Sequence, residues 1–76
     1  MSMYEYQIQV LTILSQNLQN TRPQLVTTDA IAGEMDIQSP KLRLVLNSMN
    51  SLGLIQTDPD LQYNLITRKG LNHLGQ

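Results

Sequence analysis

The chain has 76 residues, contains no Cys, Trp or Phe, and carries a formal charge of −1. That length fits one domain and not two, and a chain this short buries only about 60% of its unfolded surface, which leaves little core for an enclosed active site. Without cysteine there is neither a disulfide framework nor a thiolate metal site.

The first six residues hold no basic stretch and no apolar run, so no signal peptide is visible and a soluble cytoplasmic protein is expected. Apolar residues then recur at helical spacing. Tyr4, Ile8, Leu11, Leu14 and Leu18 form one stripe, and Met3, Tyr6, Val10 and Ile13 form a second beside it. The spacing predicts a helix over residues 4–19, ended by Asn17, Asn20 and the Arg22-Pro23 step. A surface helix needs only one stripe. The second either lies against the end of the chain around Leu71 and Leu74 or meets another copy. In so small a domain a homodimer through Met3, Tyr6, Val10 and Ile13 is the expectation.

Leu25-Val26 reads as a short extended lead-in. Thr27 can cap a helix over 28–35, with Asp29 where a negative charge suits the helix dipole and Ile31, Ala32 and Met35 on one face. Asp36 tolerates the left-handed conformation. Ser39-Pro40 reads as an N-cap followed by proline at the first helical position. Leu42, Val45, Leu46, Met49 and Leu52 make an apolar stripe along a helix over 39–52, and Gly53 stands where a C′ glycine belongs. Leu54-Ile55-Gln56-Thr57 reads as a strand and Asp58-Pro59-Asp60 as a turn. Leu61, Tyr63 and Leu65, alternating with Gln62 and Asn64, read as the return strand of a hairpin over 54–66. Thr67 can cap a last short helix over 67–74 that carries Leu71 and Leu74. The expected fold is one domain over residues 1–76, mainly α with a small β-hairpin. No apolar run approaches the roughly 20 residues that span a bilayer.

Four stretches carry a family likeness: Val26-Thr27-Thr28-Asp29-Ala30-Ile31-Ala32, Met35-Asp36-Ile37, Leu52-Gly53-Leu54-Ile55, and Ile66-Thr67-Arg68-Lys69-Gly70 with Leu74 beyond. In this order and spacing they resemble winged helix-turn-helix DNA-binding regulators of the MarR-like and ArsR-like superfamily. The first is similar to the opening of the first motif helix. The second is similar to the turn, whose middle position is often glycine and is Asp36 here. The third resembles the junction from recognition helix to wing, and the fourth the passage that closes the wing. The resemblance covers residues 4–75 and does not choose a branch. It implies a three-helix core with a wing and a short C-terminal helix, 39–52 as recognition helix, 54–66 as wing, double-stranded DNA as partner and transcription regulation as the role.

In such proteins the N-terminal part of the recognition helix enters the major groove. With Leu42, Val45, Leu46 and Met49 inward, the outward residues are Gln38, Ser39, Lys41, Arg43, Leu44 and Asn47. Gln38 and Asn47 suit adenine edges and Arg43 suits guanine. Ser39 and the free N–H groups of the first turn suit a phosphate, as does Lys41. The plain alternative is that Lys41 and Arg43 form a solvated helix face. Leu44 has three readings: contact with a thymine methyl, packing beside the hairpin, or part of a protein-binding face. The tip Asp58-Pro59-Asp60 is acidic where a DNA-binding wing usually carries Lys or Arg, so it either stays off the phosphates or meets something else. Arg68 and Lys69 at the wing base are the better phosphate candidates, against a reading as solvated charge.

The charge of −1 hides a division. Residues 1–40 carry Glu5, Asp29, Glu34 and Asp36 against Arg22 (−3), and residues 41–76 carry Lys41, Arg43, Arg68 and Lys69 against Asp58 and Asp60 (+2). With so few cations, and with 15 Gln and Asn supplying uncharged polar surface, DNA binding is expected to be weak per chain, modest in salt dependence and reliant on a second copy. The neutral balance, the acidic tip and Leu44 motivate a rival, a winged-helix module that binds protein rather than nucleic acid. An enzyme is not expected. His73 is the only histidine, so no two-histidine metal site forms within one chain, and it reads as a partly buried structural residue. No serine sits in a nucleophile motif and there is no Gly-rich phosphate loop. Neither metal nor cofactor is expected.

Overall fold

The structure, a computed structural model, describes residues 2–18 and 26–75. It contains, in chain order, α1 (Met3–Asn17), β1 (Val26–Thr27), α2 (Thr28–Met35), α3 (Ser39–Ser51), β2 (Ile55–Thr57), β3 (Tyr63–Ile66) and α4 (Arg68–His73). The chain is mainly helical, with a small three-stranded antiparallel sheet. Gln19 of the first predicted helix, its expected stop at Asn20 and Arg22-Pro23, and Leu25 of the lead-in lie outside the described residues.

Short polar side chains set the helix starts. The Ser2 hydroxyl accepts from the Glu5 N–H and donates to the Glu5 carboxylate, both at 3.2 Å, so α1 begins one residue earlier than its apolar stripe suggests. Thr27 accepts from the Ala30 N–H at 3.1 Å, and Thr67 from the Gly70 N–H at 3.0 Å, as their sequence positions predict. α2 ends at Asp36, which takes the left-handed conformation at φ 53°. The start of α3 differs from expectation. Gln38 is the N-cap, without a side-chain cap bond, and Ser39 is the first helical residue, so Pro40 stands second. The Leu42 N–H donates to the Gln38 carbonyl at 3.0 Å, which closes the first turn one residue early. Proline still costs nothing there, because first-turn N–H groups have no intrahelical partner. At the other end Gly53 has φ +78°, in the C′ role its position predicts.

The sheet order is β1-β3-β2. The expected hairpin pairs Ile55 with Ile66, Gln56 with Leu65 and Thr57 with Asn64. The lead-in adds a third strand, pairing Val26 with Asn64 and Thr27 with Tyr63, and so ties the start of α2 to the hairpin.

Ten aliphatic or Met side chains form the core: Val10, Leu11 and Leu14 of α1, Ile31 of α2, Leu42, Val45, Leu46 and Met49 of α3, then Leu54 and Ile55. Leu52, last in the α3 stripe, falls past the end of the core and is 50% exposed. The second stripe of α1 finds its cover within the chain. Val10 is fully buried, and Tyr6 and Ile13 are half-buried against the core, so only Met3 keeps a largely free surface. Val10 therefore has no area to give to another copy. The outward face of α1 is polar instead, with Glu5, Thr12 and Gln16 exposed. Gly70 marks where α4 meets the sheet. A Cβ there would collide with the Leu54 carbonyl and crowd Ile66 and Leu11, so the close approach requires glycine.

The return strand inverts its expected facing. Asn64 is fully buried, whereas Tyr63 is 45% and Leu65 39% exposed. The Asn64 amide donates to the Val26 carbonyl and to Thr28 Oγ1, both at 3.1 Å, and the Thr28 hydroxyl donates in turn to the Leu61 carbonyl. This polar clasp holds β3, β1 and the first turn of α2 together. Asn64 Oδ1 is buried without a hydrogen-bond partner. Among the described residues no helix is long and apolar enough to cross a membrane.

Candidate functional site

α3 packs on α1, α2 and β2 and leaves its opposite side to solvent. Residues spaced by four, three and four share that side: Pro40, Leu44, Asn47 and Ser51, all exposed. They form a neutral ridge, and Leu44 is its most prominent apolar member at 69% exposure.

The two cations of α3 stand on either side of this ridge. Lys41 and Arg43, two positions apart, are separated by about 200° around the helix axis. The Lys41 ammonium lies 4.9 Å from the centre of the Tyr6 ring, on the α1 side, a cation–π contact. Arg43 turns to the hairpin, where its Nη1 donates to the Asp60 carbonyl at 3.0 Å. Both residues remain exposed. Beside Arg43 a cleft of about 230 Å³ is lined by Thr27, Thr28, Asp29, Gln62 and Tyr63.

The other expected contacts do not gather here. Gln38 is exposed at the N-cap, but four and seven residues before Leu42 and Val45 it lies in line with the core stripe rather than the ridge. Ser39 is half-buried. Lys69 donates from Nζ to the Leu52 carbonyl at 2.7 Å, completing the C-terminal end of α3 where the helix dipole is negative. That end is about 16 Å along the axis from Lys41. Arg68 is exposed in the first turn of α4. The four cations thus divide into a pair flanking the start of α3 and a pair near its end, and Lys69 has a structural partner.

The acidic tip divides as well. The Asp58 carboxylate accepts the Gln62 N–H at 2.7 Å and the Tyr63 N–H at 2.8 Å through Oδ1. The Tyr63 N–H, with help from that of Gln62, holds the carboxyl below the usual Asp range. Asp58 is therefore turned into the loop as an anion, while Asp60 stays exposed. His73, expected half-buried, is exposed on α4 with its ring edge toward Tyr4 at 6.0 Å. Among the described residues no three His, Asp or Glu side chains come together as a metal site.

Sequence reasoning missed Tyr63 and Pro40. Tyr63 reads from the sequence only as an alternating member of the return strand, and Pro40 only as a helix-start signal. No local pattern marks this facing, because Asn64 is held inward by partners on β1 and α2 that lie 38 and 36 positions away.

No protein-family model matches the chain, and no curated protein or solved structure matches it either.

Proposed function

We propose that the chain is a small DNA-binding transcriptional regulator with a winged helix-turn-helix, using α3 as the recognition helix and the β2–β3 hairpin as the wing. One observation carries this reading: α3 presents a neutral, hydrogen-bonding and apolar ridge with one cation on each flank. A helix with its side chains is about 10–12 Å across, and the major groove of B-DNA is about 12 Å wide with phosphates along both walls. A ridge directed at the groove floor therefore brings Lys41 toward one wall and Arg43 toward the other. The capture of Asp58 by backbone N–H groups supports the reading further, because it removes one carboxylate from the approach to the phosphates.

Titration of a labelled random duplex into the full chain at low salt tests the proposal. Dissociation constants of about 10⁻⁴–10⁻⁶ M are expected, with log K against log salt falling at a slope of about −2 for two neutralised phosphates. Lys41→Ala and Arg43→Ala should each reduce that slope by about one. Absence of binding at ~100 μM overturns the proposal. Leu44 at 69% exposure favours the second reading, a winged-helix module that docks on another protein through this ridge. A partner released by Leu44→Asp, with no affinity for duplex, would decide for it.

A further inference from the structure

Resting on the DNA reading, we infer that α3 reads a thymine·adenine step, with Leu44 against the thymine methyl and Asn47 on the neighbouring adenine. Leu44 is central on the ridge and 69% exposed, so it is the side chain that reaches the groove floor first. The only apolar group that B-DNA offers there is the C5-methyl of thymine. Over a G·C pair the same leucine would cover polar atoms and leave them unpaired, which selects against that pair.

Asn47 follows three residues later on the same ridge, about 4.5 Å along the helix axis. That is close to the 3.4 Å spacing between successive bases on a strand, so Asn47 addresses the adjacent pair. Its amide matches adenine N6 and N7 with two hydrogen bonds. Three neighbouring polar residues are drawn elsewhere. Arg43, the natural partner of guanine, is drawn to the flank by the Asp60 carbonyl at 3.0 Å. Asn50 is turned to the hairpin, where its Oδ1 accepts the Thr57 N–H at 3.3 Å. Lys41 is drawn to the opposite flank by Tyr6.

The test selects duplexes from a random pool with the full chain, then replaces individual thymines by deoxyuridine, which removes only the methyl group. Selected sites should be enriched in T·A steps. One replacement should weaken binding by about fourfold, the equivalent of one buried methyl, while affinity for the unselected pool stays unchanged. Leu44→Ala, at an exposed position, should erase the thymine–uracil difference and leave the salt slope as it was. Asn47→Ala should relax the preference at the next pair. Selected sites rich in G·C, or a thymine–uracil ratio near one, overturn this inference and leave DNA binding standing. Failure to bind any duplex at low salt overturns the DNA reading itself, and this inference with it.

Discussion

The α1–α3 crossing and the polar clasp under β3 hold the same small domain by different means. At the crossing Val10, Leu11 and Leu14 of α1 join Leu42, Leu46 and Met49 of α3 in one buried apolar cluster. At the clasp Asn64 and Thr28, both buried, join three backbone carbonyls or hydroxyls on β1, α2 and the loop before β3. The crossing gains free energy from area and tolerates changes of shape. The clasp gains little net energy per bond, but each unpaired member carries its full desolvation cost. Area therefore sets how stable the domain is, and the clasp sets which face of the hairpin is inward and how the hairpin sits against α2 and α3. The cleft beside Arg43 depends on the second of these.

Truncation at the crossing should have the largest effect. Leu46→Ala is expected to cost about 2–5 kcal/mol, since it removes a fully buried side chain and leaves a cavity. Whole domains are stable by roughly 0.05–0.15 kcal/mol per residue, so this variant approaches the unfolding limit. Leu46→Met conserves volume and should cost less than about 1.5 kcal/mol. Urea midpoints at constant m check both; equal costs for the two would mean that packing at the crossing is not what the variants report. Asn64→Ala should rank second, at about 1–3 kcal/mol, because the buried Thr28 Oγ1 and the half-buried Val26 carbonyl lose their donor. Unlike the core variants, it should also loosen the hairpin against α2, seen as faster amide exchange at Thr28, whose N–H donates to the Gln62 carbonyl at 2.9 Å. Protection at Thr28 that stays at its wild-type level would mean the clasp does not position the hairpin.

The crossing was legible in the sequence and the clasp was not, for reasons visible in single residues. Leu42, Val45, Leu46 and Met49 repeat over about two turns, so one period identifies both the helix and its inward face. Thr27 and Thr67 cap helices through N–H groups three residues on, and Gly53 ends α3 by its own conformation, so these roles follow from local chemistry. β1 is two residues long, too short for alternation to register. The facing of β3 rests on Asn64 reaching residues 36 and 38 positions away in the chain, and the apolar alternation of Leu61, Tyr63 and Leu65 therefore points the wrong way. The candidate site shows the same limit. Spacing alone identifies the outward ridge of α3, but the placement of Lys41 on Tyr6, Arg43 on Asp60 and Lys69 on Leu52 depends on contacts that no local pattern encodes.

The loop that carries Asp60 toward Arg43 gives the smallest expected effect. It is a turn in which the Leu61 N–H donates to the Asp58 carbonyl at 2.9 Å and Leu61 takes φ +56°, an uncommon conformation for leucine. The Asp58 carboxylate steadies it by accepting two backbone N–H groups. Those donors favour the anion, so the folded carboxyl titrates below its unfolded value. The sign follows from linkage: a lowered folded value adds stability that is complete above the unfolded Asp range, about pH 4, and is lost as the pH falls through the folded value. Asp58→Asn keeps an oxygen to accept the N–H groups and removes the charge. The variant should melt slightly below the wild type at pH 7, and the gap should narrow as the pH falls below about 4 and the wild-type carboxyl takes up its proton. Other carboxylates are common to both chains and cancel in the difference. A gap that stays constant as the pH falls through the acid range would place the effect in the amide geometry rather than in the charge.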